Sequence, residues 1–503
     1  MQELFRRLFS KPFMAFEILL SSFFISLFTL ALPLYIIQIL NRYISYGFHG
    51  TLITLTAGMI IAALLQLGFR LIRTKLADSL NQIPNERISR EILSIISRAK
   101  TGAIKSLPRE RVQEALGSLH ILQNSYSSYS LGAMLDAPFS IILIGAAFFL
   151  SPVLAAIALA GITAALLIGF FTTRSAQKVS ESLFQELSSH RSLNMSALNA
   201  LETVRACQGQ FFLFEKWNRQ ISRISSLRSR LSEKNEFSQS VIQTGGTLLS
   251  VAMYAVGATF AVRGDLTVGA LIGTNILASR AYQNTTRFVQ TWNMLNRAGE
   301  SAKDLDLLRR LPLENAEGSA LREFSGKVEL SDVGFFHPRS HQPVFESVNI
   351  TLAPGSILAV CGDTGTGKST FIKLLVTLLD PSRGKILADD LNLAQAATAW
   401  WRKQIVYMPQ EPEFLNASIR ENLLLHNPDI DDKALNQILR AANLKKFLDL
   451  TESGLSLNLK DNGGNLPLGT RRLLSLARAM TTDGKLVLLD DPTQHLDSGS
   501  AAS

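Results

Sequence analysis

Long stretches without a charged side chain are the most prominent pattern in the first 280 residues. Four of them stand out, at residues 18–41, 50–69, 137–173 and 237–262. A helix needs about 20 apolar residues to cross the hydrocarbon of a bilayer, and core helices of soluble proteins rarely lack charge over such lengths. The pattern therefore predicts transmembrane helices.

Two details set the expected number of crossings. The 137–173 stretch contains Ser151-Pro152, which predicts a tight turn between two spans, and a weaker sixth span covers residues 266–279 and must continue past Arg280. The first apolar run is too long for a signal peptide, and no small-residue cleavage site follows it. We therefore expect six crossings.

The positions of Lys and Arg predict the orientation, because loops rich in these residues stay in the cytosol. Such residues flank the first, second and fourth spans, at Arg6, Arg7, Lys11, Arg70, Arg73, Lys75, Arg174 and Lys178. The connectors 70–136 and 174–236 combine charges with helical periodicity and few Pro or Gly residues. We expect a cytosolic N-terminus and membrane helices that continue into the cytosol.

Composition supports a membrane protein with a soluble part. Charged residues make up 18% of the 503 residues, against about 25% in an ordinary soluble domain. The net charge of 50 − 41 = +9 is better explained by loops at a membrane surface than by binding to nucleic acid. Cys207 and Cys361 are too few for a disulfide framework or a cysteine-rich metal site.

The chain after residue 300 predicts a phosphate-binding site. Charges return, and β-rich runs occur at residues 327–330 and 344–352. The apolar run 357–361, which predicts a strand, leads into G-x-x-x-x-G-K-S at residues 362–369 and then into an amphipathic helix. In this arrangement backbone N–H groups surround phosphates, Lys368 reaches the β- and γ-phosphates, and the Ser369 hydroxyl binds Mg²⁺. Cys361 is expected to be a small core residue beside the loop.

A second apolar run, at residues 485–489, ends in two aspartates. A buried strand here would deliver Asp490 to the Mg²⁺ position, and Asp491 would face the attacking water as a general base. No His or Cys cluster has the spacing of a metal site, so Mg²⁺ is the metal that the sequence implies.

Six spans with long cytosolic helices, a phosphate loop and this aspartate strand resemble an ATP-binding cassette exporter along nearly the whole chain. The resemblance implies that Gln410 is the catalytic and Mg²⁺-binding glutamine that couples to the membrane helices, and that His337 stacks on adenine. Asp497 matches a further motif aspartate. The expected nucleotide contacts are Gly362, Asp363, Thr364, Gly365, Thr366, Gly367, Lys368, Ser369, Thr370 and His337.

Residues 31–42 look like the start of type I secretion ATPase/permeases, which export unfolded proteins from Gram-negative bacteria. The first span begins as early as Ile18, so the resemblance points to the branch without a peptidase domain. It implies a multi-pass protein of the bacterial inner membrane, a homodimer or heterodimer with another half-transporter, and a periplasmic adaptor and outer-membrane duct as partners. A lipid or small amphipathic molecule is the alternative substrate.

The chain departs from the family's pattern at its signature segment and its general base. The Leu-Ser-Gly-Gly-Gln signature is replaced by Leu466, Pro467, Leu468, Gly469 and Thr470. Pro467 offers neither a hydroxyl nor an N–H group to a phosphate, and Leu468 adds a side chain where the backbone should approach it. Asp491 stands where the family has Glu, and the family's switch histidine and last strands are not among the 503 residues.

The sequence therefore predicts two parts, an all-α six-helix transmembrane exporter domain at residues 1–310 and an α/β P-loop nucleotide-binding domain, incomplete at its C-terminus, at residues 325–503. Two hypotheses follow. The chain is an ATP-driven exporter with impaired hydrolysis, or it is an ATP-binding but hydrolysis-deficient partner or remnant of such an exporter.

Overall fold

The apolar stretches of the first part form long helices, because backbone N–H and C=O groups in hydrocarbon must be paired within their own segment. The structure is a computed structural model and describes residues 6–7, 11–47, 49–337 and 342–492. Two units are separated by their contacts: Met1–Ile95 with Pro108–Arg310, and Ile96–Leu107 with Leu311–Ser503.

Eleven helices are described before residue 310, and a π-helical turn, Ile39–Tyr43, joins the second to the third. They are α1 (Pro12–Thr29), α2 (Ala31–Gln38), α3 (Ile44–Tyr46), α4 (His49–Arg98), α5 (Thr101–Ser106), α6 (Arg109–Ser125), α7 (Ser128–Leu150), α8 (Pro152–Asn199), α9 (Leu201–Ala206), α10 (Gln210–Val262) and α11 (Val268–Arg309). Helices α4, α8 and α10 have 50, 48 and 53 residues, so each runs well beyond its apolar stretch, as predicted.

Five helical stretches of the described residues are long and apolar enough to cross a membrane. They are Pro12–Tyr46, His49–Arg98, Ser128–Leu150, Pro152–Asn199 and Gln210–Val262. The sixth predicted span falls in α11, which is a continuous helix of 42 residues but is not among these five. Polar and charged residues from Arg280 onward dilute its apolar character, and the sixth crossing stays a prediction.

The turn between α7 and α8 lies at Ser151-Pro152, as the sequence predicts. Ser151 caps α8, since its Oγ accepts a hydrogen bond from the N–H of Leu154 at 3.4 Å. Pro152 suits the first helical position, where the N–H that it lacks would have no partner.

Small residues allow the helices of the first unit to approach closely. Helix α8 packs along α10, and the buried core that these two helices share with α7 and α11 is rich in alanine. A methyl group at Gly257 would overlap the side chain of Leu271, so the approach of α10 to α11 depends on this glycine. An ion pair between Arg73 and Asp136 joins α4 to α7.

The described residues of the second unit form two sheets. One is antiparallel, in the order β2-β1-β3-β4, and the other is a parallel pair. The strands are β1 (Val328–Phe336), β2 (Pro343–Leu352), β3 (Arg383–Ala388), β4 (Leu391–Asn392), β5 (Ile405–Met408) and β6 (Leu486–Leu489). Both β-rich runs of the sequence form strands, which confirms the α/β class of this part.

The α-helices that follow residue 311 in the second unit pack around two hydrophobic cores. They are α12 (Lys368–Leu375), α13 (Thr398–Lys403), α14 (Ile419–Leu423), α15 (Asp432–Ala441), α16 (Lys445–Asp449) and α17 (Leu468–Met480). Trp401 of α13 is fully buried, and its Nε1–H donates to the carbonyl oxygen of Leu375 at 2.7 Å. This bond fixes the C-terminal end of α12, the helix that begins at the phosphate loop.

The segment 96–107, which includes α5, belongs to the second unit. Ala99 forms an antiparallel bridge with Leu313, and the N–H of Lys100 donates to the carbonyl oxygen of Pro312 at 2.9 Å. The Lys100 ammonium also lies 2.7 Å from a carboxylate oxygen of Asp380. The connector between α4 and α6 is therefore tied to the nucleotide-binding part of the chain by backbone and side-chain contacts.

Candidate functional site

The phosphate loop, residues 362–369, leads directly into α12. Gly367 precedes the helix with a φ of +96°, and a Cβ there would overlap the side chain of Val344. Glycine meets both demands, since it adopts positive φ without strain and has no side chain. The loop therefore has the tight backbone path that a phosphate cradle requires.

The run 357–361 before this loop does not form the predicted strand. Its residues carry no strand hydrogen bonds, and Ile357 is 97% exposed. A strand needs ladder hydrogen bonds to a neighbouring strand, and none of the strand pairings among the described residues includes this run, so the apolar pattern alone does not make it a strand. The prediction that Cys361 is a core residue is also wrong, since this cysteine is exposed.

Lys368 contacts the phosphate loop itself. Its Nζ donates to the carbonyl oxygens of Gly362 at 2.6 Å and Asp363 at 2.8 Å. The ammonium group is thus held over the loop, where exchanging carbonyl oxygens for phosphate oxygens requires only a short movement.

Three oxygen-bearing side chains meet at the start of α12. The Ser369 hydroxyl lies 3.0 Å from Oδ1 of Asp490 and 3.4 Å from Oε1 of Gln410. Asp490 follows β6 and Gln410 follows β5, and Met408 pairs with Leu489 in this parallel ladder. Parallel strands end at the same edge of a sheet, so the register brings the amide and the carboxylate to the same serine.

The strand that delivers Asp490 is less buried than predicted. Leu488 of β6 is buried, but Val487 is 57% and Leu489 is 40% exposed. The Asp490 carboxylate itself is buried. Burial, together with the nearby Asp490 carboxylate, raises the pKa of Tyr407 in β5 to about 12, so this phenol stays protonated at neutral pH.

The donor set at Ser369 fits a hard divalent cation. A hydroxyl, an amide oxygen and a carboxylate oxygen are ligands that Mg²⁺ accepts, and Mg²⁺ commonly takes only a few protein ligands alongside phosphate oxygens. Within the described residues, no group of three or more His, Cys, Asp or Glu side chains is placed to hold a metal ion. The three oxygen donors at Ser369 would suit Mg²⁺ that arrives with a phosphate ligand.

Asp491 turns toward the glutamine rather than into the sheet. Its φ is +49°, in the left-handed region, and its Oδ2 accepts a hydrogen bond from Nε2 of Gln410 at 3.0 Å. The carboxylate is partly exposed, which leaves it accessible to water. The two residues that the sequence proposes for catalysis therefore contact each other directly.

His337 lies at the end of β1, next to a large cavity within the second unit. Its ring is exposed and meets the ring of Phe335 edge-on, with centroids 5.2 Å apart. The cavity has a volume of about 1230 Å³ and is lined by Phe336, His337, Thr370 and, from α5, Thr101 among others. Its lining includes Thr370 of α12, the residue that follows Ser369.

The signature residues lie at the N-terminal end of α17. Pro467 is the N-cap of this helix with a φ of −56°, and no side chain caps the helix there. Pro467 and Leu468 are exposed, whereas Leu466 packs in the hydrophobic core. Gly469 and Thr470 are half-buried in the first turn. Asp497 lies outside the described residues.

One residue near the site was missed by the sequence reasoning. Arg472 is buried and donates from Nη1 to the carbonyl oxygen of Asp491 at 2.9 Å and from Nη2 to that of Gln410 at 3.0 Å. It lies two residues after Thr470, beside Arg471 and before Leu473, and nothing in that pattern distinguishes it from a surface arginine.

An apolar helical part, a glycine-rich phosphate loop and an aspartate-ended strand define a membrane protein with a P-loop nucleotide site. A family model described as the ABC transporter transmembrane region matches residues 15–285, more than half of the chain, and one described as ABC transporter matches residues 345–494. The chain therefore belongs to the ABC transporter family, and it is a membrane protein.

Similar proteins come from several bacteria. The chain is 24% identical over 489 residues to the leukotoxin export ATP-binding protein LtxB of Aggregatibacter actinomycetemcomitans. It is equally similar to the toxin RTX-I translocation ATP-binding protein of Actinobacillus pleuropneumoniae and to the leukotoxin translocation ATP-binding protein LktB of Mannheimia haemolytica. Each match covers 96% of this chain and 68% of the relative. The chain is thus an ABC exporter homologous to ATP-binding proteins whose names refer to the export or translocation of toxins.

Proposed function

We propose that this exporter binds ATP with Mg²⁺ at the phosphate loop, and that ATP drives the export of an unfolded polypeptide across the bacterial inner membrane. One observation carries the nucleotide part of the proposal. Oxygen atoms of Ser369, Gln410 and Asp490 converge at the N-terminus of α12, directly after a glycine-rich loop. This is the arrangement that a Mg²⁺-bound triphosphate needs.

The contacts of the loop suggest how ATP engages. The phosphates approach the backbone N–H groups at the start of α12, and Lys368 exchanges the carbonyl oxygens of Gly362 and Asp363 for phosphate oxygens. Mg²⁺, when bound, neutralises charge on the β- and γ-phosphates. The adenine enters the neighbouring cavity, where the His337 ring offers a stacking surface.

The same cavity links nucleotide binding to the rest of the chain. Residues of α5 form part of its lining, and α5 lies in the connector between α4 and α6. A bound adenosine would therefore contact a segment whose two ends continue into the helical part. The ion pair of Lys100 with Asp380 holds this connector in place.

The substrate and partners are inferred from the relatives. Their names refer to the export or translocation of toxins, and we propose an unfolded polypeptide as substrate, a periplasmic adaptor and an outer-membrane duct. The chain would act as a half-transporter in a homodimer or heterodimer, with six crossings and with its N-terminus and nucleotide-binding part in the cytosol. Stimulation of ATP hydrolysis by unfolded polypeptides but not by lipids would support this substrate class over a lipid or small amphipathic molecule.

A second candidate, an ATP-binding but hydrolysis-deficient partner or remnant, is favoured by the geometry of α17. The helix starts at Pro467, which has no N–H group, and exposes Leu468 where a signature segment would meet a phosphate. In a homodimer, both ATP sites would contain the altered signature segment, and both would also have Asp491 at the general-base position. Impaired hydrolysis is therefore expected even if ATP binding is strong.

Purified full-length protein in lipid nanodiscs separates the two candidates. Binding of a fluorescent ATP analogue and release of phosphate are measured for the wild type and for Lys368→Ala. Binding with Mg²⁺-dependent hydrolysis above the level of the variant supports the exporter, and binding without such hydrolysis supports the deficient partner. Equal, undetectable binding by both proteins would show that the proposed nucleotide site is wrong.

A further inference from the structure

Arg472 joins the two loops that carry the proposed hydrolysis residues. Its side chain is only 2% exposed and lies on α17, one turn after the helix begins. One guanidinium nitrogen donates to the carbonyl oxygen of Asp491, after β6, and the other to that of Gln410, after β5, at 2.9 and 3.0 Å. A single planar group thus spans the ends of two strands.

The guanidinium fixes the distance between these two backbone positions. Its N–H donors are rigidly arranged and permanently charged, and hydrogen bonds from a charged donor are stronger than neutral ones. Asp491 needs such support, because a non-glycine residue at a φ of +49° is strained. The side-chain bond from Gln410 to Asp491, 3.0 Å long, connects the same pair a second time.

We propose that Arg472 is a positioning residue that holds Gln410 and Asp491 for metal-dependent nucleotide binding. Gln410 supplies one of the three oxygens at Ser369, so its position controls how well Mg²⁺ can be bound. Arg472 itself touches neither the phosphate loop nor Ser369 through the bonds described above. This inference rests on the proposed function, since it assigns a role within the proposed ATP site.

Replacing Arg472 by Gln removes the fork that reaches both carbonyl oxygens. We expect Gln410 to lose its fixed position while the phosphate loop keeps its shape. Affinity for ATP without metal should then be unchanged, and the gain in affinity that Mg²⁺ provides should fall by about tenfold, which corresponds to about 1.4 kcal/mol. Arg472→Lys keeps the charge and can reach one carbonyl oxygen, so it should restore part of the gain.

Arg478→Gln serves as the matched control. Arg478 lies on the same helix and also donates to a backbone carbonyl oxygen, that of Glu413 at 3.1 Å, while its guanidinium lies over the Phe414 ring. It contacts neither Gln410 nor Asp491 through a described hydrogen bond. A general loss of helix stability would lower the gain in ATP affinity from Mg²⁺ in both variants, whereas a positioning role of Arg472 would lower it only in Arg472→Gln.

The test measures binding of a fluorescent ATP analogue to full-length protein in nanodiscs, with Mg²⁺ and with EDTA, for the wild type and the variants of Lys368, Arg472 and Arg478. The proposal is supported if only the Arg472 variants lose the Mg²⁺ gain, the Lys variant less than the Gln variant. It is overturned if the Mg²⁺ gain is unchanged in Arg472→Gln, or equally reduced in Arg478→Gln. It is also overturned if both Arg472 variants lose metal-free binding, because the role is then structural. Absence of binding by the wild type itself would instead refute the proposed function and this inference with it.

Discussion

Lengthening the side chain at residue 491 tests whether carboxylate placement limits hydrolysis. The backbone here is anchored, since the carbonyl oxygen of Asp491 accepts a hydrogen bond from Arg472 at 2.9 Å. The extra methylene of Asp491→Glu should therefore move the carboxylate, and with it the hydrogen bond from Gln410, by about 1 Å while the backbone stays in place. A misplacement of about 1 Å can cost about 10²-fold in rate, or about 2.7 kcal/mol of transition-state stabilisation. Because the signature segment is a separate defect, we expect a gain of about tenfold or more rather than full activity.

The assay is Mg²⁺-dependent phosphate release by full-length protein in nanodiscs. Asp491→Asn keeps the size but removes the negative charge, and it should release less phosphate than the wild type. Each variant is measured with and without Lys368→Ala, which reports any contaminating ATPase. An Asp491→Glu protein that binds ATP normally but releases phosphate at the wild-type rate would show that the placement of this carboxylate does not limit hydrolysis.

Three further variants test the metal ligand, the signature segment and a buried hydrogen bond. Ser369→Ala should leave metal-free ATP binding intact and reduce the Mg²⁺ gain by about tenfold, because one oxygen ligand is lost; an unchanged gain in a titration with Mg²⁺ would contradict this. The double change Pro467→Ser and Leu468→Gly should raise phosphate release, since it restores a hydroxyl and an open backbone; no increase would argue that this segment does not limit the rate. Trp401→Phe leaves the carbonyl oxygen of Leu375 unpaired, which should cost about 2 kcal/mol of stability and lower the midpoint of thermal unfolding by about 4–8 °C. A shift below the reproducibility of the thermal scan would show that this hydrogen bond contributes little.

Local patterns allowed much of the fold to be predicted. The uncharged stretches, the Ser151-Pro152 turn and the glycine-rich loop each depend on residues that are neighbours in the chain. A turn needs only its own backbone and caps, so sequence is sufficient there. The five helical stretches that are long and apolar enough to cross a membrane could be predicted for the same reason, because segment length and composition identify them.

Features that depend on distant partners could not be predicted from local pattern. The run 357–361 is as apolar as a core strand, yet it lacks a described neighbour to pair with and is exposed. The role of Arg472 depends on two carbonyl oxygens that come from loops 62 and 19 residues away in the chain. No spacing rule connects these positions, because the parallel register of β5 and β6 brings them together.

The convergence of Ser369, Gln410 and Asp490 could be predicted only in part from the sequence. Each residue follows a recognisable motif, but their separation in the chain, 41 residues from Ser369 to Gln410 and 121 to Asp490, says nothing about distance in space. The structure places them within hydrogen-bonding reach. Their role as metal ligands remains a proposal.

The most direct test of the central claim is the Mg²⁺ dependence of ATP binding by the full-length protein in nanodiscs. We expect the wild type to bind a fluorescent ATP analogue and Mg²⁺ to tighten this binding. Lys368→Ala should weaken it by about tenfold or more, since a charged hydrogen bond to phosphate is lost. Binding that is identical in the wild type and Lys368→Ala, and indifferent to Mg²⁺, would contradict the account.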